Sequence, residues 1–478
     1  MFIGLDLGTS GLKGVLIDAA QRVVAEAHAP LAVSRPHDGW SEQDPADWIA
    51  AAERVLDALA VHGLSRVGGI GLSGQMHGAT LLDDHDRVLR PCILWNDTRS
   101  HAEAAELDRD PEFRRLTGNI VFPGFTAPKL LWVARNEPTN RDRVARVLLP
   151  KDYLRLWLTG GHVSDMSDAA GTGWLETGAR DWSDALLAET GLSRAHMPAL
   201  IEGSDVSGIL RPALAQRWGL PKAVVVAGGG GDNAASAVGV GVVSEGDAFV
   251  SLGTSGVLFA ASNGYRPDAA TAVHTFCHAL PRTWHQMAVI LSCTDALNWF
   301  AALAGSDAVT LTEGLGPLRA PGRMLFLPYL GGERTPLNRA DIRGAFVGLA
   351  HATDRAAATR AVLEGVCHAI RDGRDALAAT GTRLDRLVAV GGGSRSDYWL
   401  RLLASVLDCP IQRPVAGDFG GAFGAARLAL MAATGAGAEA AAAPASAREF
   451  APDPDLKSAF DDAQARYVQA RTQIGTLT

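Results

Sequence analysis

The stretch GLDLGTSG, Gly4 to Gly11, returns as SLGTSG at Ser251 to Gly256; Leu7 to Gly11 and Leu252 to Gly256 are identical, and Asp6 is exchanged for Ser251. Each loop stands between two β-rich runs. Around the first these are FIGLDLG and LKGVLI, followed by a turn at Asp18 to Gln21 and a third run; around the second they are GDAFVSLG and VLFAAS. Such runs on either side of a Gly/Ser/Thr turn predict strand–loop–strand units. Two matched units this far apart predict an internal duplication, with one half over residues 1–243 and the other over 244–478.

Between and beyond the loops, strands alternate with helices. VVVAGGGGDNAASAVGVG (Val224 to Gly241) reads as a buried β run, four glycines and a helix beginning at Asp232, and LVAVGGGSRSDYWLRLLASVL (Leu387 to Leu407) repeats that order. In α/β units of this kind, ligands bind on loops at the carboxyl edge of the sheet. The alanine-rich Thr434 to Ala447 reads as a solvent-facing connection of no chemical consequence, ahead of a final helix near Asp455 to Thr472.

With 478 residues, 47% hydrophobic and 20% charged, the chain is long enough for two or three globular units. A formal charge of -8, from 44 basic and 52 acidic residues intermixed, argues against nucleic acid or an anionic membrane as partner and for a small molecule. Cys92, Cys277, Cys293, Cys367 and Cys409 are scattered and form no CxxC pair, the pattern of reduced thiols in a cytoplasmic protein. Neither a signal peptide nor a membrane-spanning apolar run is evident.

Several residues carry chemical content. Backbone N–H groups in a tight Gly/Ser/Thr turn form an anion cradle, to which Thr9, Ser10, Thr254 and Ser255 add hydroxyls and Lys13 a positive charge. Neither loop is a GxxxxGK[ST] phosphate loop, and no GxGxxG opens a helix after a strand. The DFG at Asp418 to Gly420 lacks its companion kinase motifs and reads as chance. Asp232 is equally readable as a helix cap or as a carboxylate that takes a proton from a substrate hydroxyl. Gln75, Met76 and His77 follow a β run, where a lone histidine is more often a structural hydrogen-bonder. Trp95, Asn96, Asp97 and Arg99 suit a sugar pocket or a capped helix start. His274, Cys277 and His278 have no second ligand cluster and read as packing.

Taken together, the loop pair, WSEQDPADW (Trp40 to Trp48), GFTAPKLLWVARN (Gly124 to Asn136), GAFVGLAHATDRAAATRAVLEG (Gly344 to Gly365) and VGGGSRSDYW (Val390 to Trp399) resemble the FGGY carbohydrate kinases, over a span reaching about Arg427. Within the family, SGQMHGATLLD, PCILWNDTRS, LLPKDYLRLWLTG and SDMSDAAGT look most like the branch acting on D-xylulose. The resemblance implies an α/β fold of two duplicated ribonuclease-H-like, actin-like domains with a cleft between them. It also implies a sugar phosphorylated at its 5-hydroxyl by ATP with Mg²⁺, and a homodimer.

Carried onto this sequence, the resemblance makes Asp232 the general base and a sugar contact, and Asp6 the acidic residue near magnesium and the transferred phosphate. Gln75, Met76 and His77 become further sugar contacts. Thr9, Ser10 and Lys13 form the first phosphate loop and Gly253 and Thr254 the second; Gly392, Gly393 and Asp397 fall in the adenosine loop. The run before Asp232 has four glycines where the family leads one to expect three, so Asp232 keeps its place only if the loop absorbs the extra residue. Ala358 stands where leucine is common, a matter of packing. Cradling phosphate from both sides is symmetric work, whereas a hard cation needs carboxylate on one side only, which accounts for Asp6 beside Ser251. Another ketose or polyol, such as ribulose or an arabinitol, and a sugar-indifferent ATPase on the same fold are the alternatives.

Overall fold

Among the residues described, 1–415 and 420–476, the computed structural model holds two seven-stranded sheets. Asp418 and Phe419 of the DFG tripeptide lie outside the described residues. The first sheet runs in the order Val206–Ile209, Val225–Ala227, Gly69–Gly74, Phe2–Leu7, Gly11–Ile17, Val23–Pro30, with Gly230–Gly231 continuing beside Gly69–Gly74. The second runs His274–Cys277, Trp284–Ile290, Gly256–Ser262, Gly246–Leu252, Leu384–Val390, Ile411–Pro414, Ser446–Phe450.

The two sheets share one plan. An antiparallel three-strand meander places its first strand parallel to a fourth; a fifth strand follows in parallel, and an antiparallel strand closes the edge. This is the ribonuclease-H-like arrangement, and the two Gly-Thr-Ser-Gly loops join the first and second strands of their respective meanders.

Strand parity decides what covers the first sheet. Ile3, Leu5 and Leu7 pack with Val55, Leu56 and Leu59 of the helix Pro45–Ala60, which opens on an Asp44 cap and a proline in its first turn. The alternate residues Phe2, Gly4 and Asp6 face the helix Gly421–Thr434, which belongs to the second half of the sequence. That helix lies directly on backbone. A Cβ on Gly4 would sit 1.8 Å from the carbonyl oxygen of Ala422, and one on Gly71 would sit 1.9 Å from that of Ala425. The glycine ladder ends where the helix begins. At the last positions of the same face stand Asp6 and Ser73, both touching the space beside Gly421.

On its other side the same helix crosses Asp232–Val240, with Gly424 over Ala235 and Gly239. Asp232–Val240 ends the first half of the sequence, so a pair of Gly/Ala helices is one of the places where the two halves meet. The boundary read at residues 243 and 244 falls between Asp232–Val240 and the strand Gly246–Leu252.

Two expectations change. The segment Thr434 to Ala447 is not simply a solvent-facing connection: Ala441 is buried under Gly241, and the chain then enters the edge strand Ser446–Phe450. Composition hid this strand because only Phe450 of its five residues is buried. The last helix spans Lys457–Ile474 and seats Phe460 and Tyr467 in the second core. All five cysteines are buried and free, and no described helix is long and apolar enough to cross a membrane.

In an ordinary helix interior, Gly→Ala stabilises by about 0.5–1 kcal/mol. At Gly424 the new methyl carbon would fall 1.7 Å from the Ala235 carbonyl oxygen. Gly424→Ala is therefore expected to lower the unfolding free energy by about 1–3 kcal/mol or more in urea titration, through overpacking against backbone; a neutral or stabilising result would mean that the helices are not seated this closely.

Candidate functional site

Asp232 opens its helix after Gly228 to Gly231, and the register shows how the fourth glycine is accommodated. Val225 and Val226 pair with Gly69 and Ile70, whereas Gly230 and Gly231 pair with Ser73 and Gly74. Ala227 to Gly229 therefore oppose only Gly71 and Leu72, a one-residue bulge with Gly229 at a φ of 76°. The extra residue is taken up before Gly230, and Asp232 emerges directly after the carboxyl end of Gly69–Gly74.

The bulge is held by charge. Arg155 donates to the carbonyls of Ala227, at 2.7 Å, and of Gly228, and the Gly231 N–H donates to the Ser167 hydroxyl at 3.1 Å. Arg155 belongs to a fully buried cluster in which Lys151 Nζ lies 2.5 Å from Asp152, 2.7 Å from Asp165 and 3.1 Å from Asp168. Burial opposes the charge of Lys151, yet the three aspartates hold its pKa above the ordinary value. Burial lifts Asp168 well above the carboxylate range, with Asp152 and Asp165 adding to the rise. Lys151 and Arg155 thus stand among three buried aspartates, and the pairing offsets the cost of placing charge in a dry interior. A buried charge cluster of this kind leaves no periodicity in the sequence to read.

Asp232 does not cap its helix with its side chain. One oxygen accepts from Asn233, from the backbone N–H at 2.7 Å and from the side-chain amide at 3.0 Å; the other has no hydrogen-bond partner among the described residues. Burial, and then the negative charge of Asp6, push its pKa up to about 6. Asp6 accepts the Ser73 hydroxyl at 2.8 Å. Two carboxylates, one near the end of a strand and one at the start of a helix, thus share one edge of the sheet, close enough for one to disfavour ionisation of the other.

In the first loop, the Thr9 hydroxyl donates to Gln75 at 2.9 Å and accepts from the Trp95 indole at 3.0 Å. Gln75 is buried and also donates to Gln43, whose own amide returns to the Thr9 carbonyl. Thr9 and Gln75 are therefore joined to each other and, through Gln43, to the loop's own backbone. Ser10 remains exposed, and Lys13 pairs with Glu26 at 3.2 Å. In the second loop the Gly253 and Thr254 carbonyls accept from Cys293, Thr294 and Asp295, which pins the loop to the start of the helix Thr294–Leu303. Thr254 and Ser255 remain exposed.

Met76 packs against Gly231, and His77 takes a φ of 70°. His77 Nδ1 lies 2.6 Å from the Gly171 carbonyl and its ring stacks on Phe125 at 4.8 Å. Burial, then the charge of Lys129, bring its pKa down to about 3. The ring is therefore neutral; a carbonyl can only accept, so Nδ1 carries the proton and Nε2 is left as an acceptor. The buried Lys129 donates to the His77 carbonyl at 2.8 Å and to Gly124, fixing this unusual backbone. Asp97 and Arg99 pair with each other at 2.7 Å under Trp40, leaving half-exposed Trp95 as the member of its motif nearest the first loop. His274, Cys277 and His278 each have their own protein partner: Arg334, the Thr177 carbonyl and the Val242 carbonyl.

On the second half lies a cavity of about 780 Å³ walled by Gly392, Gly393 and Asp397, and also by Thr294, Asn298 and Tyr398. Gly392 has open space where a side chain would stand, and Asp397 is held by Arg413, at 2.8 Å, and Arg448. Thr294 and Asn298 lie on a helix with no glycine signal, so the sequence offered no handle on them.

Comparison with known proteins fits this geometry. Residues 1–239 match the FGGY family of carbohydrate kinases, N-terminal domain, and residues 248–433 match the C-terminal domain. The xylulose kinase of Escherichia coli (strain K12) is 51% identical over 437 residues, 91% of this chain and 90% of that protein. The crystal structure of a xyloylose kinase from Brucella ovis is 61% identical and superposes with a TM-score of 0.99 over 100% of both chains. That of xylulose kinase from Rhodospirillum rubrum, 31% identical, gives a TM-score of 0.93 over 100% of this chain and 99% of the other. The fold is the mixed α/β, two-domain sugar-kinase fold of the actin-like ATPase type.

Because Asp6 raises the pKa of Asp232, Asp6→Asn is expected to move it down from about 6 toward the ordinary carboxylate range. ¹³C NMR of carboxyl-labelled, metal-free protein reads this titration, with the Asp232 signal assigned by its loss in Asp232→Asn. An unmoved titration would show that the two carboxylates do not sense each other.

Proposed function

We propose that the chain, which belongs to the FGGY family of carbohydrate kinases and is a carbohydrate kinase, transfers the γ-phosphoryl group of ATP to the 5-hydroxyl of D-xylulose, with Asp232 as general base. The observation that carries this reading is Asp232 itself: a carboxylate with one oxygen held by Asn233 and the other without a partner among the described residues, at the carboxyl edge of the sheet beside Asp6. The choice of sugar rests on the relatives from Escherichia coli and Brucella ovis, both named for that activity.

In this account the sugar lies between Asp232 and His77. Nε2 of His77 accepts a sugar hydroxyl, and Met76 packs the bulge that carries Asp232. The adenosine lies in the cavity at Gly392, Gly393 and Asp397, and its phosphates reach between the two Gly-Thr-Ser-Gly loops. A base with a pKa of about 6 is ionised at neutral pH yet still basic enough to draw a proton from a hydroxyl as that oxygen bonds to phosphorus. The proton passes to Asp232, the sugar oxygen gains phosphorus, and ADP leaves with the bridging oxygen.

Asp6 suits magnesium. An anionic oxygen donor on an ordered strand, oriented by Ser73 and close enough to be felt at Asp232, is the chemistry a hard divalent cation accepts. When bound there, the ion would offset phosphate charge.

ADP release, followed with ATP, Mg²⁺ and a panel of D-xylulose, D-ribulose, D-arabinitol, glycerol and no sugar, is expected to rise strongly with D-xylulose. A higher kcat/KM on another sugar would replace the substrate, and equal turnover in every tube would remove the kinase reading. Asp232→Asn, which keeps the shape and the Asn233 contacts, is expected to lower kcat by about 10²–10⁴-fold while leaving ATP affinity unchanged, as measured by calorimetry. Retained turnover would exclude Asp232 as the base.

A further inference from the structure

One strong cation near the sugar side of the cleft comes from the opposite half of the chain. Arg334 sits in the loop Gly331 to Pro336, which is fixed to the second sheet at several points. Thr335 donates its N–H to Val289 at 3.0 Å and its hydroxyl accepts from the Val289 N–H at 3.1 Å; Glu333 accepts from the Leu291 and Arg334 N–H groups at 2.9 and 2.8 Å. From this anchored loop the Arg334 guanidinium reaches the first half, with its carbon 3.9 Å from the ring centre of Phe122.

Arg334 Nη1 donates to His274 Nε2 at 3.2 Å, which makes His274 a neutral acceptor; burial and the Arg334 charge both drive its pKa down. The charge of Arg334 is also felt by His77, whose ring shares the Phe125 and Phe276 wall with His274. Arg334 makes no ion pair among the described residues. Its Nε and Nη2 groups have no protein partner there, and unlike the sealed Nε of Arg155 they remain within reach of solvent. The adjacent carboxylate of Glu333 is felt by Arg334 without pairing directly with it, so a largely buried, rigidly mounted guanidinium keeps free donors for a ligand.

We propose that Arg334 is a sugar-binding residue delivered by the nucleotide-side half of the chain: its unpartnered N–H groups donate to the carbonyl end of the ketose, opposite the hydroxyl that Asp232 deprotonates. The proposal rests on the sugar-kinase reading above and deepens it. Two complementary groups then address the sugar. His77 Nε2 can only accept, and so takes a hydroxyl; Arg334 can only donate, and is matched by the carbonyl, the one oxygen of an open-chain ketopentose that can only accept. Arg334 thereby favours the ketose over the pentitol. Because Phe122 and His77 belong to one half and Arg334 to the other, the sugar site is complete only when the halves lie together as they do here.

The test is steady-state kinetics of the wild type, Arg334→Met and Arg334→Lys on D-xylulose and on xylitol, together with ATP affinity and thermal unfolding of each protein. Loss of a hydrogen bond to a charged group is expected to raise the D-xylulose KM of Arg334→Met by about 10–100-fold. The expected kcat stays within about threefold of wild type, ATP affinity is unchanged, and the preference for D-xylulose over xylitol collapses. Arg334→Lys should fall between the two and carries the test if the methionine variant does not fold. A D-xylulose KM within threefold of wild type in a folded variant overturns the proposal. So does a loss in which KM, ATP affinity and melting temperature move together, the mark of a structural role. If the wild type prefers another sugar, the D-xylulose assignment fails by itself, and the same variants run on that sugar decide Arg334.

Discussion

The structure depends on one close contact between backbones. The helix Gly421–Thr434 rests on the glycines of Phe2–Leu7 and Gly69–Gly74, and the helix Asp232–Val240 crosses it at Gly424. No side chain larger than hydrogen fits at Gly4, Gly71 or Gly424. This contact joins a helix from the end of the chain to a sheet built at its beginning, and it sets where the covered face stops. At that end of the face stand Asp6, Ser73 and, one helix away, Asp232. The chemistry begins where the glycine ladder ends.

Around that edge, polar groups are used in two ways. Some support the backbone: Arg155 on the bulge, Gln75 and Gln43 behind the first loop, Lys129 under the carbonyl of His77. These are buried, with their hydrogen bonds directed at main chain and neighbouring amides. Others keep a valence open. Asp232 has an oxygen without a partner among the described residues, and His77 has Nε2 as an acceptor. In a proton transfer the first group provides rigidity, so that little reorganisation accompanies the reaction, and the second provides the contacts that change.

The duplicated loops, with their flanking strands, made both sheets legible in the sequence, because period-two runs around Gly-Thr-Ser-Gly are local signals. Asp232 was legible as a candidate, and the strand register explains how its four glycines are absorbed. The Thr9–Gln75 hydrogen bond was not legible, because a hydroxyl and an amide beside a glycine turn look the same in sequence whatever they face. Arg334 was not found, since its meaning lies in His274 and Phe122, sixty and more than two hundred residues away. The strand Ser446–Phe450 was missed because an exposed edge strand carries little hydrophobic alternation.

If Asp232 activates a single hydroxyl, phosphate must appear on a single carbon of the sugar. The direct measurement is ³¹P and ¹³C NMR of the product formed from uniformly ¹³C-labelled D-xylulose, ATP and Mg²⁺. Phosphorus coupled to C5 and to its neighbour C4, with product formed in step with ADP, is the predicted result. Phosphate on another carbon, or ADP with inorganic phosphate and unmodified sugar, would contradict it.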